Sequence, residues 1–410
     1  MRAFIWILSI PVFIYAYSLE ELIDLSHKNR LVESAVHINV SKQKAYDSTK
    51  SSYLPSIALG ASYQNAYEET VALAQDSLKV QADIKYTIYD GGKKDALLSM
   101  LKSNVNSSKQ DIKALKDSIS LEVVRLYFEY MSLDSDKKAM DQQIDQLKAE
   151  VKRLDFFYRS GSVTKDELDK VDSRLKSALV SLQENELRSQ RVLYTLEYYT
   201  KKKIDVIEKG AFIKLKDTND KALTRADIES MKLNVDSVLY EADSEKSQNL
   251  PSIIFSDTIS HSDYYFDDKP ISSFLVETQN IAALNLTWNI FDFGAVDKSY
   301  ESKYEEYLSK KAVFEHEKHK ADVEHRFAKK ALEIAKQKID SAKAAFEAAD
   351  STYRLVKFKY ENKTVDNVAF LEALSEKYDA QRDYERALWD LEIKKAELLY
   401  YGGRDIKEFL

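Results

Sequence analysis

The sequence predicts a mainly α-helical chain with a small antiparallel β part: long antiparallel coiled-coil helices and four strands, written twice in tandem. Three observations predict it. The 410 residues include only eight Gly and four Pro, and neither type occurs between Gly92 and Gly161 or from Ala295 to Tyr401. Uninterrupted helices of roughly 65 residues would be about 100 Å long, so they must pack along their length against each other or against other subunits. Next, Leu332, Ala335, Ile339, Ala342, Phe346, Ala349, Tyr353, Val356 and Tyr360 alternate spacings of three and four, which is a coiled-coil seam. Finally, the seam returns 202 residues earlier as Tyr130, Leu133, Lys137, Met140, Ile144, Leu147, Val151, Leu154 and Tyr158, broken only at Lys137. A fixed offset between two long helices marks an internal duplication.

The chain opens with Arg2 and an apolar run from Ala3 to Tyr17, interrupted by Ser9 and Pro11. Ala16 and Ser18 supply small residues at −3 and −1 of a cut before Leu19, so residues 1–18 read as an export signal. The run is short for an anchor, and no other stretch approaches the length of a transmembrane helix. Cysteine is absent, which excludes disulfides and a lipid-modified Cys. The 68 acidic and 61 basic residues argue against nucleic acid as a partner.

Residues 19–200 form the first repeat. One helix is expected from Leu19 to about Lys50, with Leu22, Leu25, Leu31 and Val32 on its face. It ends at Leu54-Pro55-Ser56-Ile57, because Pro disfavours helix at the residue before it. Strands follow with period two: Ile57, Leu59, Ala61 and Tyr63 oppose Ser56, Ala58, Gly60, Ser62 and Gln64. After a polar loop, Leu78, Val80, Ala82, Ile84, Tyr86 and Ile88 oppose Lys79, Gln81, Asp83, Lys85 and Thr87. About ten residues per strand, apolar on one face and charged on the other, fits a lipid-facing barrel with a wet interior. Tyr89-Asp90-Gly91-Gly92 turns the chain into the long helix, with Asp placed to bond the N–H groups of the helix start. That helix reaches Tyr158, turns through Gly161, and returns from an N-cap at Thr164.

Residues 201–225 are charged and break the pattern. Residues 226–401 repeat the plan. Leu250-Pro251-Ser252-Ile253 marks the switch to strand. A weak strand runs from Ile253 to about Ser262, with Asp257 on its apolar face, and a clear one from Ala282 to Ile290. The loop between them holds Asp263, Asp267, Asp268 and Pro270. Tyr63, Tyr67, Tyr89, Trp288 and Phe291 gather at strand ends, as an interfacial belt or as plain strand residues. Phe291-Asp292-Phe293-Gly294 matches the first aromatic-Asp-x-Gly. At the second helical turn Asn362 is expected to take the left-handed conformation and Asp366 to cap the returning helix. Gly402-Gly403 ends that helix, and residues 402–410 form a short tail.

This order of elements, twice over, resembles the TolC-like outer-membrane efflux family over nearly all of the chain after its first 18 residues. The resemblance implies a homotrimer with a 12-stranded barrel in outer-membrane lipid and an α-helical tunnel extending into the periplasm of a Gram-negative cell. It implies a passive exit duct of a tripartite efflux system, exporting drugs or other amphiphiles with a periplasmic adaptor protein and an inner-membrane transporter of the RND, MFS or ABC type. The same duct could serve type I protein secretion. A periplasmic coiled-coil scaffold that forms no channel is a third reading, and the alternating strands argue against it.

Site residues follow from the same resemblance. Gly161, Ser162, Val163 and Lys363, Thr364, Val365 match the tips that dock the adaptor, with Lys363 where Gly is usual. Around the periplasmic gate, Asp166 and Asp366 open the returning helices, and Glu372 falls on one acidic ring position while Ala369 replaces the other. Tyr360 matches a tyrosine, and Glu167 an acid, that hold the family's gate shut, while Val365 replaces the arginine. His316 and His319, three apart, have metal-like spacing, but Glu315 and Glu317 do not converge with them, so a solvated face is expected. No phosphate-binding, dinucleotide-binding, nucleophile-elbow or zinc-protease motif occurs in the sequence, so no catalytic activity, cofactor or metal is expected.

Overall fold

The computed structural model describes residues 16–68, 70, 73–215, 223–266 and 275–410. Most of the export signal, and Asp267, Asp268 and Pro270, lie outside them. The first repeat comprises β1 (Ala16–Tyr17), α1 (Leu19–Ser26), α2 (Arg30–Ser52), β2 (Ser56–Asn65), β3 (Asp76–Asp90), α3 (Lys93–Arg159) and α4 (Lys165–Thr200). Then come β4 (Val206–Ile207), α5 (Ala226–Lys246), β5 (Ser252–Tyr265), β6 (Thr278–Thr287), α6 (Ala295–Glu361) and α7 (Asn367–Tyr401). The two long helices, α3 and α6, have 67 residues each, the length that the scarcity of Gly and Pro requires.

Four elements differ from the sequence expectation. The first helix is two, broken at His27–Asn29. Asn29 Oδ1 accepts the Val32 N–H at 2.9 Å and starts α2 afresh, while His27 Nε2 sits 2.8 Å from Ser120 Oγ and 3.3 Å from the Lys116 carbonyl oxygen. The last strand ends at Thr287 rather than Ile290. Its partner begins at Ser252, directly after Pro251, so no ladder continues past Ser252↔Thr287, and Trp288 Nε1 instead donates to the Asn249 carbonyl. The inter-repeat segment contributes a short strand, β4, parallel to β1. The left-handed residue of the second helical turn is Lys363 (φ 57°), not Asn362, whose Nδ2 donates to the Phe358 carbonyl.

Contacts divide the chain into two compact units. One comprises residues 35–111 and 227–318. Its sheet is antiparallel in the order β2-β3-β5-β6, so the two repeats meet at the β3–β5 ladder. The registers put Ile57, Leu59, Ala61 and Tyr63 beside Ile84, Ala82, Val80 and Leu78. Phe255 and Ile259 with Leu284 and Leu286 complete the same face. The helices of this unit meet through small polar side chains. Ser107 lies 2.9 Å from Ser230 and donates to Asn234, Ser237 donates to Asn104, and Asn39 donates to the Val105 carbonyl.

The other unit comprises residues up to 34, 112–226 and 319–410. One cluster in it gathers Leu19, Leu22, Ile23, Val123, Val124, Tyr127, Phe128, Leu196 and Ile213. On α6 the predicted seam is the buried face. Leu332, Ala335, Ala349 and Tyr353 are buried, Ile339, Ala342, Phe346, Val356 and Tyr360 half-buried, and most residues between them exposed. The first copy keeps its seam from Tyr130 to Leu154 and loses it at Tyr158, which is exposed. It also buries Asp136, Ala139 and Glu150 off the seam, because α3 packs on more than one partner: Arg386 of α7 grips Asp136 through Nε (3.0 Å) and Nη2 (2.7 Å), and Trp389 Nε1 donates to Ser135.

Candidate functional site: helix ends and the open sheet

Both helical hairpins close on the same turn. In the first, Ser162 N–H donates to the Phe157 carbonyl (2.8 Å), Gly161 N–H to the Tyr158 carbonyl (2.9 Å), and Gly161 has φ 72°. In the second, Thr364 N–H donates to the Lys359 carbonyl (2.9 Å) and Lys363 N–H to the Tyr360 carbonyl (3.0 Å). This pair of hydrogen bonds across a left-handed residue satisfies two of the orphan carbonyls at a helix end. Thr164 Oγ1 and Asp366 Oδ1 then cap the returning helices, accepting the N–H groups of Glu167 and Ala369. Gly161, Ser162, Lys363 and Thr364 are exposed, while Val163 and Val365 are half-buried.

Behind these turns, the side chains of Val171, Tyr353, Phe370, Ala373, Leu374 and Tyr378 form a second cluster with Leu147 and Leu154. Tyr360 is packed on it. Its ring stacks on Phe370 with centroids 4.7 Å apart, and the Arg153 guanidinium lies 4.5 Å over it. Its hydroxyl donates to Glu150 Oε1 at 2.7 Å, the same oxygen that accepts Arg153 Nη2 at 2.9 Å. Burial first, then this bond to a carboxylate, raises the Tyr360 hydroxyl above the ordinary tyrosine range. Burial likewise lifts Tyr353 to about 12, yet its hydroxyl has no hydrogen-bond partner.

Tyr360 is therefore joined to Glu150 and Arg153 on α3, not to Glu167. The Glu167 carbonyl instead accepts from Asn367 Nδ2 at 3.3 Å. Glu372 is exposed and lines a cleft of about 480 Å³ between α4 and α7 together with Asp166, Asp169, Lys170 and Arg174. Asp166 is ion-paired within it to Lys170 at 2.7 Å. Sequence reasoning missed Glu150, Arg153 and Phe370. The available signal was a Glu–Arg pair three apart in the first copy where the second has Thr352 and Leu355.

At the sheet, the apolar face lies open; Leu59 is 82% and Leu284 66% exposed. The opposite face is hydrogen-bonded among polar groups, as where Thr258 Oγ1 and Gln81 Nε2 both donate to Asp83. β2 and β6 are the outer strands of the four. Among the described residues, no helix is long and apolar enough to cross a membrane.

A family model described as outer membrane efflux protein matches residues 24–198 and 219–403. A search of curated proteins finds no match. Among solved structures, the CmeC outer membrane channel of Campylobacter jejuni superposes with a TM-score of 0.81 at 19% identity, covering 94% of this chain and 85% of that one. The outer membrane protein VceC of Vibrio cholerae gives 0.84 at 15% identity, covering 95% and 96%. The MtrE outer membrane channel of Neisseria gonorrhoeae, in its open state, gives 0.78 at 15% identity, covering 95% and 89%.

Proposed function

The chain belongs to the outer membrane efflux protein family, and from that premise we propose that it is the passive trimeric exit duct of a tripartite efflux system. The observation that carries the reading is the sheet. An open apolar face suits hydrocarbon, but unpaired outer strands do not, because lipid offers no partner for backbone N–H and C=O groups. Four strands cannot close a wide barrel; three copies, twelve strands in all, can. The helices would then wall a periplasmic tunnel, and the turns at Gly161–Val163 and Lys363–Val365 would meet a periplasmic adaptor. An inner-membrane RND, MFS or ABC transporter would supply the energy.

The gate belongs to the same proposal. Three copies of Glu372 around a narrow neck would attract multivalent cations. Tyr360, bonded to Glu150 and Arg153, would hold the end of α6 against α3 in the resting duct, with Glu167, Asp166 and Asp366 at the mouth. The decisive measurement is the mass of the detergent-solubilised protein isolated from outer membranes, where a trimer is expected and a monomer overturns the architecture. In planar bilayers, block by multivalent cations should weaken in Glu372→Gln, and unchanged block refutes the ring. Deletion should raise susceptibility to antibiotics and detergents. Loss of secreted proteins with unchanged susceptibility would reassign the duct to type I secretion.

A further inference from the structure

The first residues described are built into the fold. Ala16 and Tyr17 pair in parallel with Val206 and Ile207, and Glu208 N–H donates to the Tyr17 carbonyl at 2.9 Å. The half-buried Tyr17 side chain packs against the cluster that holds Leu19, Leu22 and Ile207. Ser18 is the N-cap of α1. Its Oγ accepts the Glu21 N–H at 3.2 Å, and the Glu21 carboxylate accepts the Ser18 N–H at 3.0 Å, a closed capping box.

Small residues alone point to a cut before Leu19, and that cut would remove all of these interactions. It would also leave a new ammonium on the first helical residue, where the positive end of the helix dipole opposes it. Upstream, Ile10, Pro11, Val12, Phe13, Ile14 and Tyr15 offer no Ala, Gly or Ser to stand at −1. Ala16 supplies the small residue at −1, with the apolar Ile14 at −3, and keeps these interactions. It is small, it is exposed, and a cut after it surrenders only the outermost pairing, Ala16↔Val206.

We propose that the precursor is processed between Ala16 and Tyr17, so that the mature chain begins with Tyr17-Ser18-Leu19. Water adds to the Ala16 carbonyl carbon and the C–N bond to Tyr17 breaks. The released peptide keeps the water's oxygen in a carboxylate at Ala16, and the Tyr17 nitrogen takes both of the water's protons and becomes the chain's ammonium. The catalyst is an export-pathway endopeptidase that reads a small residue at −1. The inference rests on the chain being exported to the outer membrane, and one experiment separates the two claims.

The full chain is expressed as wild type and as Ser18→Asp, recovered from outer membranes and whole cells, and its N-terminus is read by intact mass and terminal sequencing. Aspartate still caps a helix but is barred from −1. Both proteins should begin at residue 17, with no precursor accumulating. A wild-type N-terminus at Leu19 or any other processed position overturns the assignment, as does precursor build-up in Ser18→Asp alone. An uncleaved wild-type chain outside the outer membrane overturns the export reading, and the assignment with it.

Discussion

The Tyr360 contact makes a prediction with a built-in control. Tyr360→Phe removes one O–H from Glu150 and keeps the ring on Phe370 and under Arg153. A hydrogen bond to a charged group is worth about 1.5–3 kcal/mol net. Glu150, only 7% exposed, keeps its ion pair to Arg153, so no unpaired buried charge adds to the loss. A loss of about 2 kcal/mol corresponds to roughly a 30-fold rise in local opening of the α6 end. Hydrogen exchange of the α6 amides at 354–361, followed by mass spectrometry at constant pH, reads that factor directly. Tyr353→Phe is the control. It trims a more deeply buried tyrosine two turns away whose hydroxyl bonds nothing, so exchange there should be unchanged or slower. Equal acceleration in both variants, or none in Tyr360→Phe, would refute the assignment of strength to this bond.

Gly91→Ala should destabilise the chain more than Gly92→Ala. Both have positive φ, but a Cβ at Gly91 would lie 2.4 Å from the Ser247 carbonyl oxygen while one at Gly92 meets nothing within 4 Å. Unfolding free energies from denaturant titration should fall by about 1 kcal/mol for Gly92 from backbone strain and by clearly more for Gly91. Lys363→Gly should stabilise by about 0.5 kcal/mol, since relief of a left-handed lysine slightly exceeds the extra entropy of the unfolded glycine, and a lowered midpoint would contradict this. Burial, followed by repulsion from Lys116, depresses the His27 imidazole below its ordinary 6.5. The fold then binds fewer protons than the unfolded chain, so stability is intact above about pH 6.5 and falls as pH drops through the folded value. Thermal melts of wild type and His27→Gln should converge toward acid pH, and parallel curves would show that His27 does not titrate this way.

How much of this was legible depends on whether a residue's role is periodic or relational. The Leu332–Tyr360 seam was readable because burial of a long helix imposes a three–four spacing on the sequence itself, and every position of it is at least half-buried. The aromatic-Asp-x-Gly turns were readable because their chemistry is local: Asp90 accepts the Lys94 N–H at 2.8 Å and Asp292 the Val296 N–H at 2.8 Å. The pairing of β1 with β4 was not, because two residues have no period and the partners are some 190 apart in sequence. Nor was Lys363, since local rules favour asparagine in the left-handed region, whereas the turn inherits its position from Gly161 in the first copy. Glu150 and Arg153, three apart on a charged helix, carry no periodic signal of their own. Only the approach of Tyr360 from another repeat makes them a site.

That approach also says what the duplication did. The two hairpins share turn, caps and seam, so the scaffold is the same twice. Glu150 and Arg153 stand against Thr352 and Leu355, and Tyr360, half-buried, stands against the exposed Tyr158. The acid and its arginine occur only in the first copy, and the tyrosine that engages them is the second copy's, so the contact runs from one copy to the other. A ring of identical hairpins would repeat such a contact at every hairpin or at none. Divided between unlike copies, it forms once per chain, and in the proposed trimer the tunnel end would be fastened at three points although six hairpins line it.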